Sequence, residues 1–134
     1  MKKNILIIIL LVVAILIAIC FFIRTNHTSS IFNVINNEDG SIAINAQKAG
    51  KNASGIGYIT IEEGQKLEVR SNLNDNSSIK IEVLPKNIDA TTKVLMEEIF
   101  TAIDAREFEL PSGDYTIRIT VEKNATGSMD IKAK

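Results

Sequence analysis

The chain reads as an all-β protein: an antiparallel β-sandwich of about seven or eight short strands, preceded by one apolar N-terminal transmembrane helix. Three observations predict this. Ile5 to Ile23 contains no polar residue. From Ile31 onward, apolar side chains recur at every second position in short bursts, the period of a half-buried strand. Between the bursts, Gly, Asn, Asp and Pro cluster at spacings of about ten residues, as hairpins in a sandwich or barrel require. The 134 residues thus divide into an anchor over 1–24, a polar tether over 25–30 and a β domain over 31–134.

The apolar run comes first. As a helix rising about 1.5 Å per residue, its 19 residues span about 28 Å, close to the roughly 30 Å hydrocarbon thickness of a bilayer. Sixteen of them are Ile, Leu, Val or Phe. At about −0.3 to −0.6 kcal/mol each, they favour insertion by roughly 5 to 10 kcal/mol. A core helix of a small soluble domain would show a polar face, and this run has none. The bilayer is therefore the expected partner of Ile5 to Ile23. Lys2, Lys3 and the N-terminal amine outweigh Arg24 on the far side, which places the N-terminus in the cytoplasm and the larger part of the chain outside the cell. About four residues then stay inside, too few for a signalling domain.

Whether the run is kept follows from its length. A cleavable signal peptide has an apolar stretch of about 7 to 15 residues and an A-x-A-like site. Here the stretch is longer, and cuts after Cys20 (with Ala18) or after Ser30 (with Thr28) fit that pattern poorly. Ile17-Ala18-Ile19-Cys20 resembles the lipobox of bacterial lipoproteins, which implies acylation of the cysteine, but Ile19 stands where Gly, Ala or Ser is usual. A retained signal-anchor, with Cys20 as one more small apolar residue in the membrane, is the preferred reading. Arg24 to Ser30 is polar and aperiodic, a flexible tether, and His27 within it reads as a solvated linker residue.

The strands follow in order. Ile31 to Ile35 forms an expected first edge, then the turn Asn37-Glu38-Asp39-Gly40, then Ile42 to Ala46. Gly55-Ile56-Gly57-Tyr58 precedes a strand rather than a helix, so it is no phosphate-cradling loop; it marks a bend or a close backbone approach. Gly57 to Ile61 is the next strand, Glu62-Glu63-Gly64-Gln65 a turn, Lys66 to Arg70 a strand, and Asn72 to Asn76 a turn. Ile79, Ile81 and Val83 alternate with Ser78, Lys80 and Glu82. Asp89 to Phe100 mixes helical and strand spacing and reads as a short helical crossover running into a strand. A weak strand at Phe108 to Leu110 leads to the clearest burst, Tyr115, Ile117, Ile119 and Val121, with Thr116, Arg118 and Thr120 opposite. Asn124-Ala125-Thr126-Gly127 reads as a turn before Met129 to Ala133. Every strand offers one apolar face, so two packed sheets are the economical arrangement. On this register Ile117→Asp or Ile81→Asp unfolds the domain, whereas Arg118→Asp or Lys80→Asp costs little.

Leu110-Pro111-Ser112-Gly113-Asp114-Tyr115 places a tyrosine at the head of the best strand after a forced turn. This resembles the tyrosine corner of immunoglobulin-like sandwiches, in which the phenol bonds to backbone a few residues upstream. It implies a structural role for Tyr115. More widely, Gly57 to Leu67, Pro111 to Tyr115 and Glu122 to Gly127 resemble segments of small surface proteins and lipoproteins of clostridia-like Gram-positive bacteria. That resemblance implies an envelope location and no particular activity, and the abundance of Ile, Lys and Asn suits an AT-rich genome of that kind.

Composition narrows the chemistry. Formal net charge is −1, but with Lys2, Lys3 and Arg24 set aside, 12 basic residues face 16 acidic ones from Ile31 onward, a net of −4. A nucleic-acid partner needs a clustered positive face and is not expected. From Ile31 onward there is no Cys, His or Trp, which removes disulfides, Cys or Ser–His nucleophiles and His-ligated metals. Carboxylate pairs at Glu62 with Glu63 and Glu97 with Glu98 are adjacent in sequence, and adjacent residues of a strand face opposite ways, so a glycosidase pair is not expected. Asn72, Asn74, Asp75 and Asn76, like Glu38 and Asp39, offer oxygen ligands of the kind calcium takes; the spacing lacks an EF-hand pattern, and Asn-rich turn geometry is the simpler account. Sugars stack on exposed aromatics, and alternation sends most of Tyr58, Tyr115, Phe32, Phe100 and Phe108 inward. Asn26, Asn52, Asn76 and Asn124 begin N-x-S/T sequons. No catalytic or metal-binding residues and no cofactor are expected. The expected function is a non-catalytic binding or cell-envelope interaction module with an envelope protein or glycan as partner. The alternative is a secreted or lipid-anchored domain that is carbohydrate-active or calcium-dependent.

Overall fold

A computed structural model describes residues 2–26 and 29–134; His27, and with it the middle of the predicted tether, lies outside the described residues. Helix α1 (Lys2–Asn26) runs two residues past the predicted end of the anchor. Within its Lys2–Ile23 portion an 18-residue stretch reaches a mean hydropathy of 3.7 with no buried residue, and the portion is long and apolar enough to cross a membrane or to serve as a signal sequence.

The rest is built from nine described strands: β1 (Ile31–Asn36), β2 (Ile42–Gly50), β3 (Ser54–Ile61), β4 (Leu67–Leu73), β5 (Ile79–Pro85), β6 (Met96–Phe100), β7 (Ile103–Phe108), β8 (Gly113–Val121) and β9 (Asn124–Ala133). They form two antiparallel sheets, a five-stranded one in the order β1-β2-β9-β4-β7 and a four-stranded one in the order β3-β8-β5-β6. The antiparallel sandwich that alternation predicts is therefore present. From β2 onward the chain passes from one sheet to the other at every connection except the β5–β6 hairpin. That winding, with β2-β9-β4-β7 facing β3-β8-β5-β6, is the eight-stranded jelly roll, with β1 added as an extra edge. An immunoglobulin-type sandwich is ordered differently. The corner hydrogen bond is nevertheless there: the Tyr115 hydroxyl donates to the Pro111 carbonyl oxygen, so a corner does not by itself select between the two windings.

The core is what the period-two pattern places inside. Ile42, Ile44, Met129, Ile131, Leu67 and Val69 of the first sheet pack against Ile59, Ile61, Ile117, Ile119, Ile79 and Ile81 of the second, and Phe100 is fully buried among them. Fully burying each such side chain contributes about 1.5–3 kcal/mol. The glycine-rich stretch does mark a close approach. A Cβ on Gly57 would stand 2.5 Å from Ile42 Cδ1, and one on Gly55 would collide with Val34 Cγ2. Both glycines let β3 lie tight against β1 and β2.

Three expectations need correction. Asp89 to Phe100 holds no helix: residues 86–95 form an irregular loop and β6 starts at Met96, its Val83↔Met96 to Ile79↔Phe100 pairing with β5 continuing the ladder. The weak strand at Phe108 to Leu110 lies earlier, as β7, since Ile103 to Phe108 pairs with β4; exposed Ile103, Asp104 and Ala105 hid its alternation. Asn124 to Gly127 is no turn but the start of β9, in register with β2 and β4, and the chain turns at Glu122 and Lys123. Gly127 is needed for another reason: its φ is 135°, and a Cβ there would run into the Asn72 carbonyl oxygen and stand 2.8 Å from Leu73 Cα.

Both edges of the four-stranded sheet are met by side chains from the edge strands of the other. Asn36 of β1 accepts the edge N–H of Tyr58 in β3 at 2.9 Å. At the opposite edge Arg106 of β7 donates to the Ile99 carbonyl of β6 at 2.7 Å and to Glu98 Oε2 at 2.9 Å, with its guanidinium 3.8 Å over the Phe100 ring. Arg106 Nε also lies 2.9 Å from Asp104 Oδ2, an ion pair without hydrogen-bond alignment.

Candidate functional site

The strand directions give the sandwich two ends. The chain enters at Ile31, and the turns around residues 48–53, 74–78 and 122–123 lie at that end. The turns around residues 37–41, 62–66, 86–95 and 109–112 lie at the other. At this second end an open groove of about 810 Å³ runs between the β1–β2 turn and the last residues of β3, reaching the first residues of β8 and, on the opposite side, Asp130 and Lys132 of β9.

Each polar group of the groove is set by strand parity. In β3, Ile59 and Ile61 point inward, so Tyr58 and Thr60 point out; Tyr58 is 60% exposed. Asp114 of β8 stands opposite Thr60 in register. It accepts a hydrogen bond of 2.6 Å from the Thr60 hydroxyl and pairs with Lys86 Nζ at 3.4 Å. The Thr60 hydroxyl and then Lys86 hold the Asp114 carboxyl below the usual aspartate range. Asp39 closes the β1–β2 turn by accepting from the Ser41 hydroxyl at 2.6 Å and the Ser41 N–H at 2.9 Å, and those bonds likewise lower its pKa. Both shifts run opposite to the elevated pKa that a carboxylic acid needs to act as general acid near neutral pH. What the groove offers is fixed, ionised hydrogen-bond acceptors beside an exposed phenol ring.

Each outer face also carries one buried carboxylate held by cations. On the four-stranded sheet, Glu82 is 5% exposed and receives both arms of Arg118, Nη2 to Oε2 at 2.8 Å and Nε to Oε1 at 3.1 Å. The Arg118 bonds lower the Glu82 pKa against the opposing effect of burial. On the five-stranded sheet, Glu68 is 3% exposed and surrounded by Arg70 at 3.0 Å, Lys134 at 3.2 Å and Lys132 at 3.3 Å. Burial alone would raise its pKa; the hydrogen bonds from Lys134, Arg70 and Lys132 overcome that and hold it at about 2.

The other carboxylates and amides weighed from the sequence disperse. Glu62 borders the groove. Glu97 and Glu98 face opposite ways, with Glu98 turned to Arg106. Asn72 lies within β4, while Asn74 and Asn76 shape the β4–β5 turn, Asn74 through its carbonyl accepting from the Ser77 N–H at 3.1 Å and Asn76 through a left-handed φ of 67°. Among the described residues no three His, Cys, Asp or Glu side chains converge as a metal cluster. Of the aromatics, Tyr115 and Phe100 are buried, Phe32 and Phe108 are half-buried, and Tyr58 alone of the domain's five is exposed. The parity of β3 was legible for Tyr58. Thr60, Asp114 and Lys86 were not, because only the pairings of β8 with β3 and with β5 bring them together.

No family model matches the chain, and no curated protein matches it. Among solved structures it is similar to one described as "CBM4 structure and function", at 11% identity over 79% of this chain and 77% of that one, with a TM-score of 0.41. It is also similar to the crystal structure of PirA, at 10% identity over 76% of this chain and all of that one, with a TM-score of 0.46. Neither likeness is close enough for a shared function to follow.

Proposed function

We propose that this protein is a non-catalytic, membrane-anchored binding module whose β domain stands outside the cell, on the envelope surface of a Gram-positive, clostridia-like bacterium. One observation carries the reading. α1 is exposed from Lys2 to Ile23, with no place in the sandwich core, and the groove lies at the end of the sandwich opposite the point where the β domain begins. A bilayer accounts for the first fact, and display of the groove away from the membrane accounts for the second. Protease added to intact cells then removes the β domain while a cytoplasmic control survives. Cleavage only after lysis overturns the topology.

A glycan is the ligand class that Tyr58 favours. An exposed ring beside Thr60, Asp114 and Lys86 pairs a stacking surface with hydrogen-bonding groups, the combination that a sugar face and its hydroxyls require. A glycan array probed with the wild-type protein and with Tyr58→Ala tests this. Binding lost in the variant, at unchanged melting temperature, supports it; equal binding by both removes Tyr58 from the site.

A further inference from the structure

The end of the sandwich where the chain enters carries a different surface from the groove end. Lys48, Lys51 and Lys123 are all exposed there, and none forms an ion pair among the described residues. They are neighbours in the fold. The Asn52 N–H bonds to the Val121 carbonyl at 2.9 Å, and Gly50 pairs with Asn124, so the turn bearing Lys51 lies against the crossover bearing Lys123. Lys48 occupies the adjoining bulge, at a left-handed φ of 47° that turns the chain out of the ladder, its N–H held by the Thr126 hydroxyl at 3.0 Å. Of the acids nearby, Glu122 is engaged by Lys80 at 3.2 Å and Asp75 stands in the next turn. The groove end is acidic by contrast, with Glu38, Asp39, Glu62, Glu63 and Glu109 in its turns.

We infer that this lysine corner docks on the anionic lipid headgroups of the same bilayer that holds α1, an inference that rests on the anchored reading above. Chain length enforces proximity. Asn26 and Ile31 are five residues apart, so even a fully extended connection spans at most about 18 Å. Ile31, which pairs with Gln47 beside Lys48, is thus held within about two Debye lengths of the membrane end of the helix at physiological ionic strength, and each lysine brought against an anionic surface increases the docked population about five-fold. Ile31 and Ile103, 40% and 79% exposed, open β1 and β7 at the same end and present apolar side chains to the interface. Docking by this end holds the sandwich upright and keeps the groove turned away from the bilayer.

The test uses the full chain in nanodiscs made of phosphatidylcholine alone or of phosphatidylcholine with phosphatidylglycerol. Lysine acylation rates are followed by mass spectrometry, with Lys66 and Lys93 at the groove end as internal references. Docking predicts that Lys48, Lys51 and Lys123 react several-fold more slowly in the anionic discs, that high salt restores their rates, and that the references do not change. In the K51Q/K123Q variant the Lys48 rate becomes independent of lipid charge. Lysine rates that are equal in both discs, in a chain that co-purifies with them, overturn the docking and leave the anchor standing. A chain that fails to co-purify with discs overturns both.

Discussion

Alanine substitution of Gly127 tests the register of β9 directly, because β9 begins where the sequence pattern predicts a turn. Two separate costs apply. At φ 135° an L residue is strained, by about 1–3 kcal/mol. The added Cβ would also meet the Asn72 carbonyl oxygen and Leu73 Cα of β4, which are backbone and cannot swing aside, so β9 and β4 must part at a further cost of about 1–3 kcal/mol. Two other glycines separate these terms. Gly64, at φ 82° with nothing within 4 Å of a Cβ, carries conformational strain alone and loses about 1 kcal/mol on substitution. Gly50, with open space and an ordinary φ, gains about 0.4–1 kcal/mol because the unfolded chain is stiffened. At about 4–8 °C per kcal/mol for a domain of this size, thermal melts followed by circular dichroism place Gly50→Ala at or above the parent, Gly64→Ala about 5 °C below it, and Gly127→Ala about 12 °C or more below. If Gly127→Ala melts with Gly64→Ala, no backbone of β4 lies beside it and the β4–β9 pairing is wrong.

Ile81→Asp and Ile117→Asp each bury a charge at a position with no exposed surface and are expected to leave the domain unfolded at room temperature, seen as loss of the strand signal in circular dichroism. Arg118→Asp, which strand parity alone marks as tolerated, is expected to cost about 1.5–3 kcal/mol in urea unfolding, since it removes both hydrogen bonds from buried Glu82 and sets an acid beside it; a loss no larger than that of an exposed control such as Lys93→Asp would refute the pair. Tyr115→Phe strands the Pro111 carbonyl and should cost about 1–2 kcal/mol in the same assay. Glu68 has a folded pKa of about 2 against an ordinary 4.5, so its stabilisation is complete above about pH 4.5 and drains away as the pH falls towards 2. An acid titration of stability should be shallower across that window for Glu68→Gln than for the parent, and parallel curves would remove Glu68 from the acid response.

Much of the sandwich was legible because its strands obey one local rule. Ile79-Ile81-Val83 and Tyr115-Ile117-Ile119-Val121 alternate cleanly, and each buries the predicted face. The rule fails where burial does not alternate. β7 exposes three residues in succession, and although Glu98 and Ile99 lie only eight and seven residues before Arg106, alternation does not show that β6 and β7 belong to different sheets. Gly127 shows the converse failure, since glycine suits a turn and a tight crossing of strands equally, and only the partner strand separates them. The groove was the least legible part. Tyr58 could be placed outward from Ile59 and Ile61, but the bond between Thr60 and Asp114 joins residues 54 apart in sequence. Parity alone marks Arg118 as tolerant of substitution for the same reason: its partner Glu82 lies 36 residues away.

Molecules fixed in one membrane plane meet one another far more often than in dilute solution, and open strand backbone is the group through which neighbouring sheets zip together. Asn36 and Arg106 each occupy one such group on a flank of the four-stranded sheet, and Arg106 adds a positive charge that resists addition of another strand. On the anchored reading proposed above, these two contacts would make the four-stranded sheet a poorer template for strand addition by a neighbouring copy.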